Sequence, residues 1–127
     1  MEENKLKELL STNLLPLAFI GDSVHTLFVR DYILKSGNLK LENYHNNSSQ
    51  YCKASSQAKA LEKIIPLLNE DESEIVRRAR NAKPKHQAKN ASSADYSYAT
   101  AFEALIGYLY ITENKDRLDE ILKISIL

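Results

Sequence analysis

The segment that most constrains this chain is residues 15–35, a run in helical register that is apolar on most sides yet carries Gly21 and Asp22 at its centre. Leu14, Leu15, Leu17, Phe19 and Ile20 precede the pair, and Val24, Leu27, Phe28 and Val29 follow it. A helix apolar nearly all round belongs in the interior of a fold. A carboxylate there is costly unless it is paired or binds a cation. Residues 95–112 repeat the pattern, with Glu103 among Ala99, Ala101, Phe102, Ala104, Leu105 and Ile106, and with Gly107 one turn on. Glycine inside a helix costs about 1 kcal/mol relative to alanine. Close approach of two helices is a reason to keep it, and a crossing near Gly21 and Gly107 would bring Asp22 and Glu103 together.

The other segments are short helices. Residues 2–10 read as an amphipathic helix that ends in a turn at Ser11-Thr12-Asn13, and Pro16 is acceptable in the first turn of the next helix. Gly37-Asn38 stops that helix, and 38–46 reads as a loop. A cap at Asn46, Asn47 or Ser48 starts a helix running to about Leu68, with Ala54, Ala58, Leu61 and Ile65 inward and a kink or early end at Pro66. Asp71 is placed to cap a helix over 72–82, residues 83–93 form a long loop, and 115–124 is a last amphipathic helix. No strand-type alternation competes with these periods. The expectation is an all-α single domain over residues 1–127.

Composition narrows the setting. A hydrophobic fraction of 43% with 27% charged residues is that of an ordinary globule. Cys52 is the one cysteine, which excludes an intramolecular disulfide and a cysteine-based zinc cluster. The acid-bearing start MEENKLKELL does not read as a signal peptide, and no run approaches 18 apolar residues. A reducing, cytoplasmic setting without a membrane span is expected.

Charge is uneven although the net is zero. Residues 77–94 hold Arg77, Arg78, Arg80, Lys83, Lys85 and Lys89 and no acid, which leaves the remainder of the chain acidic. Such asymmetry marks a local anion-binding patch; a solvated helix face is the plainer alternative. Asp22 and Glu103 are open to two readings as well. They could cap or pair with a base such as Arg30, or share a hard divalent cation, since Mg²⁺ typically takes one or two carboxylates plus waters and phosphate oxygens. A cation between them would activate a water against a phosphodiester and stabilise the leaving oxygen. His25, one turn from Asp22, reads mainly as a structural histidine. His86 falls in the basic loop and His45 at a loop or cap position, and no two histidines have metal-ligand spacing.

The motifs LAFIGDSV (17–24), RRARNAK (77–83), TAFEALIGYLYIT (100–112) and RLDEI (117–121) resemble, in order along nearly the whole chain, the ribonuclease III catalytic domain. The resemblance is most specific to the Mini-ribonuclease III branch. It implies a helical ribonuclease III endonuclease domain-like bundle that cleaves double-stranded RNA as a homodimer with Mg²⁺, Mn²⁺ substituting. Asp22 and Glu103 fall on the metal-binding aspartate and glutamate of the family. Arg77, Arg78, Arg80, Lys83, Lys85 and Lys89 would position the duplex, with His45 as a further RNA contact. The branch implies maturation of 23S ribosomal RNA ends, with a ribosomal protein as a possible assistant, and no double-stranded RNA-binding domain is expected after Leu127. Ala18 and Thr100 stand where larger relatives carry further acids, Ser55 stands at a usual lysine position, and His25-Thr26 replaces Tyr-Glu. Those losses leave open a second reading, a catalytically silent RNA- or ribosome-binding module on the same fold. A helical protein-interaction adaptor is a third.

Overall fold

The computed structural model describes residues 3–37, 41–82 and 92–127. Seven helices occupy them, and no strand occurs among the described residues. They are α1 (Glu3–Ser11), α2 (Leu15–Lys35), α3 (Leu41–Cys52), α4 (Ala54–Ile64), α5 (Glu70–Arg80), α6 (Ser93–Ile111) and α7 (Lys115–Ser125), with a 3₁₀ turn over Ile65–Leu67 between α4 and α5. None of the described helices is long and apolar enough to cross a membrane.

The hub is α6, which packs against α2, α4, α5 and α7. Its central residues from Ala99 to Gly107 are buried except Glu103, because small side chains alternate with Phe102, Leu105 and Ile106 and let neighbours close in from several sides. Its most extensive contact is with α2. The crossing expected from the glycines is present and very tight. A β-carbon built on Gly21 would lie 1.7 Å from the Glu103 carbonyl oxygen, and one on Gly107 would lie 1.9 Å from the Leu17 carbonyl oxygen.

Several boundaries differ from the sequence expectation. The segment 41–46, expected as loop, is the first half of α3, and the single helix expected up to Leu68 is two. The break falls at Lys53, whose extended backbone (φ −69°, ψ 155°) starts α4, and the Ser56 hydroxyl donates to the Gln50 carbonyl across it. This new start puts Ile64, not Ile65, on the buried face of α4. Pro66 ends α4 in the 3₁₀ turn. The cap of α5 is Asn69 rather than Asp71: its side chain accepts from the Glu72 N–H at 2.8 Å, and the Glu72 carboxylate accepts from the Asn69 N–H at 3.0 Å.

Glu72 has a second task. Only 1% exposed, it receives a two-pronged pair of hydrogen bonds from Arg117 of α7, Nε to Oε2 at 2.8 Å and Nη2 to Oε1 at 2.7 Å. The same Nη2 donates to the Leu67 carbonyl at 2.7 Å, so one guanidinium fastens the 3₁₀ turn, α5 and α7. Arg117 holds the Glu72 carboxyl below the usual carboxylate range, against the opposing effect of burial. Arg117→Met would strand that carboxylate, a loss of about 3–5 kcal/mol in urea denaturation at neutral pH. The sign with pH follows from the lowered pKa. The native advantage is present above the ordinary glutamate range and fades as pH falls through the lowered value, so native and variant stabilities converge in acid.

Candidate active site

Asp22 and Glu103 meet where α2 crosses α6. Glu103 is partly buried, and its carboxyl is hydrogen-bonded to that of Asp22. Burial first, then the Asp22 hydrogen bond and charge, push Glu103 up to about 9, while a hydrogen bond from the Gln57 amide works the other way. In the metal-free chain Glu103 therefore keeps its proton at neutral pH, beside the Asp22 side chain. The sequence expectation of a buried Asp22 does not hold: its residue is exposed, at the edge of the α2–α6 contact beside the buried Gly21. Asp22, Ser23, Thr26, Leu27 and Arg30 line an open depression there. The reason lies in the apolar excess of α2. Phe19 (79% exposed), Leu27 (71%) and Leu34 (65%) face outward, so apolar residues on most sides did not mean burial on all sides.

This arrangement suits a divalent cation. Two carboxylates pressed together are stable without one only if a proton sits between them, and a hard cation replaces that proton with oxygen ligation. The exposed side of Asp22 leaves room for waters and phosphate oxygens. Among the described residues no group of three or more histidine, cysteine, aspartate or glutamate side chains is placed to hold a metal, so the pair stands without a third acid.

His25 is one turn from Asp22 but turned inward. It is 2% exposed, lies edge-on to Phe102 with ring centroids 4.9 Å apart, and its Nδ1 is 3.1 Å from the Gln57 Nε2. Burial lowers its pKa to about 4 despite the nearby Asp22 charge, which fits the structural reading. The folded chain thus binds fewer protons here than the unfolded one between about pH 4 and 6.5, so this contribution is present above 6.5 and lost as pH falls towards 4. We expect up to about 3 kcal/mol of native stability to disappear over that window through His25. Denaturant titrations at several pH values should show this slope in the native chain and a weaker one in His25→Leu.

The basic patch divides. Arg77 is exposed and forks onto Glu74, Nε to Oε2 at 3.0 Å and Nη2 to Oε1 at 2.6 Å, so its charge is already compensated by an acid one turn before the acid-free stretch. Arg78 lines a shallow depression with Thr12, Asn13 and Asn81 at the α1–α2 turn. Arg80 lays its guanidinium over the Tyr98 ring, 4.6 Å from the centroid. Lys83, Lys85 and Lys89 lie outside the described residues, as do His86 and the side chain of His45.

Gln57 is the site residue that sequence reasoning passed over. It is 3% exposed and touches both His25 and Glu103. A signal was available: Gln57 falls three residues after Ala54 and four before Leu61, on the apolar face of α4, where a long amide needs partners.

Comparison with known proteins gives the family. Residues 15–114 match the ribonuclease III domain family model. The chain is 41% identical over 126 residues to the Mini-ribonuclease 3 of Clostridium tetani, covering 98% of this chain and 83% of that one. It is 44% identical over 112 residues to the Mini-ribonuclease 3 of Brevibacillus brevis, covering 88% and 84%. A crystal structure of a Fusobacterium nucleatum protein superposes with a TM-score of 0.82 at 30% identity, over 91% of this chain and 92% of the other. With the helical architecture and the matched length in agreement, the chain belongs to the ribonuclease III family.

Proposed function

We propose that this chain, an endoribonuclease by family, cuts double-stranded RNA with a divalent cation, Mg²⁺ or Mn²⁺, held by Asp22 and Glu103. The observation that carries the reading is the apposition of the Asp22 and Glu103 carboxyl groups where Gly21 meets the Glu103 backbone, open to solvent on the Asp22 side. When bound, such a cation lowers the pKa of a water and neutralises charge developing on the phosphodiester. The protein's own part is positional. The backbone contacts at Gly21 and Gly107 fix the separation of α2 and α6, and therefore of the two carboxylates. Arg78 and Arg80, with Lys83, Lys85, Lys89 and His45, would hold the RNA backbone by phosphate contacts that carry little sequence information. Arg77 would take part only by giving up Glu74.

A homodimer completes the reading. Phe19, Leu27 and Leu34 are exposed along α2 and share an arc of about 80° that does not include Asp22, an apolar stripe suited to a second copy of the chain. Two copies joined there would supply one carboxylate pair for each strand of a duplex. The reading extends, as the resemblance of the sequence motifs implies, to 23S ribosomal RNA precursor as the substrate, in the cytoplasm, with a ribosomal protein presenting it. Incubation with matched duplex and single-stranded RNA tests the proposal. The duplex should be cut in Mg²⁺, and a chelator should stop the reaction. Duplex binding without any Mg²⁺-dependent cut would leave the silent RNA-binding module as the better description.

A further inference from the structure

We infer that Gln57 is a positioning residue for Glu103, its amide held in one orientation by His25 so that one N–H faces the Glu103 carboxyl. The inference rests on the proposed role of Asp22 and Glu103 as the cation-holding pair. Three observations carry it. Gln57 Nε2 lies 3.1 Å from His25 Nδ1, and both residues are buried, at 3% and 2% exposure. An amide nitrogen has two N–H groups and no lone pair to offer, so at this contact Nδ1 accepts and the imidazole proton resides on Nε2. Gln57 also borders the Glu103 carboxyl and lowers its pKa in the sense of a hydrogen-bond donor, so the remaining amide N–H is the one we assign to Glu103.

The consequence is specific. A glutamate has three side-chain torsions, so its carboxyl needs a partner to hold one orientation. With one carboxyl oxygen held by Gln57, the carboxyl plane is fixed and the group is presented towards Asp22. The His25 ring is itself clamped edge-on to Phe102 at 4.9 Å, so the orientation is inherited from the core of the fold. The order of support runs from Phe102 to His25 to Gln57 to Glu103. A flipped amide would turn its carbonyl oxygen to both neighbours; it would then require a proton on Nδ1 and would oppose an ionised Glu103.

The test uses Mn²⁺ as the probe, followed by electron paramagnetic resonance of the free ion, and ¹⁵N NMR of the His25 ring in the metal-free chain. The native chain should bind Mn²⁺ and Asp22→Asn should lose it. Gln57→Met, with length kept and donor removed, should weaken Mn²⁺ binding by about tenfold or more, the usual penalty for losing a hydrogen bond behind a metal ligand. The His25 spectrum should show the proton on Nε2 and a hydrogen-bonded Nδ1 in the native chain, with that hydrogen bond gone in Gln57→Met. A purely structural glutamine would not change Mn²⁺ affinity in a folded variant. Should Gln57→Met fail to fold, His25→Leu carries the test, with a smaller loss in the same direction. Native Mn²⁺ affinity in the folded Gln57 variant, alongside its loss in Asp22→Asn, would overturn the inference while leaving the carboxylate pair intact. A proton found on Nδ1 would overturn it too. Absence of Mn²⁺ binding by the native chain would refute the carboxylate assignment itself, and this role with it.

Discussion

Gly21→Ala should unfold this chain or leave it barely stable, although helix propensity alone says the opposite. In an isolated helix the change would stabilise by about 1 kcal/mol. At the α2–α6 crossing the added carbon would lie 1.7 Å from the Glu103 carbonyl oxygen and 2.7 Å from its carbonyl carbon. Both are backbone atoms of a helix packed on four others, so no side-chain rotation relieves the clash. The helices must separate, and the interface they lose is the largest in the fold. Overpacking a core typically costs about 1–3 kcal/mol when side chains can give. Here the expected loss is above that range, roughly 4 kcal/mol or more, against a total of about 5–15 kcal/mol for a typical domain. Urea denaturation would read it directly, and a native-like midpoint would show that the crossing is looser than described. Gly107→Ala meets the Leu17 carbonyl oxygen at 1.9 Å and should fail in the same way.

Glu103→Gln should have the reverse effect on the metal-free fold. Native Glu103 keeps its proton up to about pH 9, whereas in the unfolded chain it ionises in the ordinary glutamate range. Folding therefore forgoes an ionisation, and the native chain loses stability as pH rises from about 4.5 to 9. Glutamine is neutral in both states and its amide can still donate to Asp22. The variant should lack that slope and be more stable than the native chain at pH 7 by on the order of 2–3 kcal/mol. Divalent cation should then reverse the order, raising the native Tm through binding while leaving the variant unmoved. On the proposed reading, stability is given up here for cation binding. Equal pH dependence in the two chains would mean that Glu103 ionises normally and does not keep its proton beside Asp22.

How far the sequence alone reached differs by element. The bounds of α2 were legible because Pro16 and Gly37 bracket an unbroken apolar period, and α6 was legible from its dense run of small and apolar residues. The crossing was legible too, since two interior glycines without a turn to make have few other uses. The break at Lys53 was not: no glycine or proline marks it, and it is held by a serine bond to the Gln50 carbonyl together with packing of separate helices. The outward face of Asp22 was hidden for a related reason. Apolar residues on most sides of α2 look the same whether the helix is buried in one chain or half-covered by α6 with a stripe left open. The Arg77–Glu74 pair was hidden because Glu74 lies just before the stretch in which charges were counted. Gln57 was overlooked because its two partners come from α2 and α6, far away in sequence.

The central claim is that Asp22 and Glu103 together hold the cation on which RNA cleavage depends. Single-turnover cleavage of an end-labelled RNA duplex over a range of Mg²⁺ concentrations, by the native chain, Asp22→Asn and Glu103→Gln, tests it most directly. The native rate should rise with Mg²⁺ and vanish in chelator. Each variant should fall by roughly 10³-fold or more, about 4 kcal/mol of lost transition-state stabilisation. Both should retain duplex affinity with the steep salt dependence of phosphate contacts. Cleavage at the native rate by either folded variant would contradict the account.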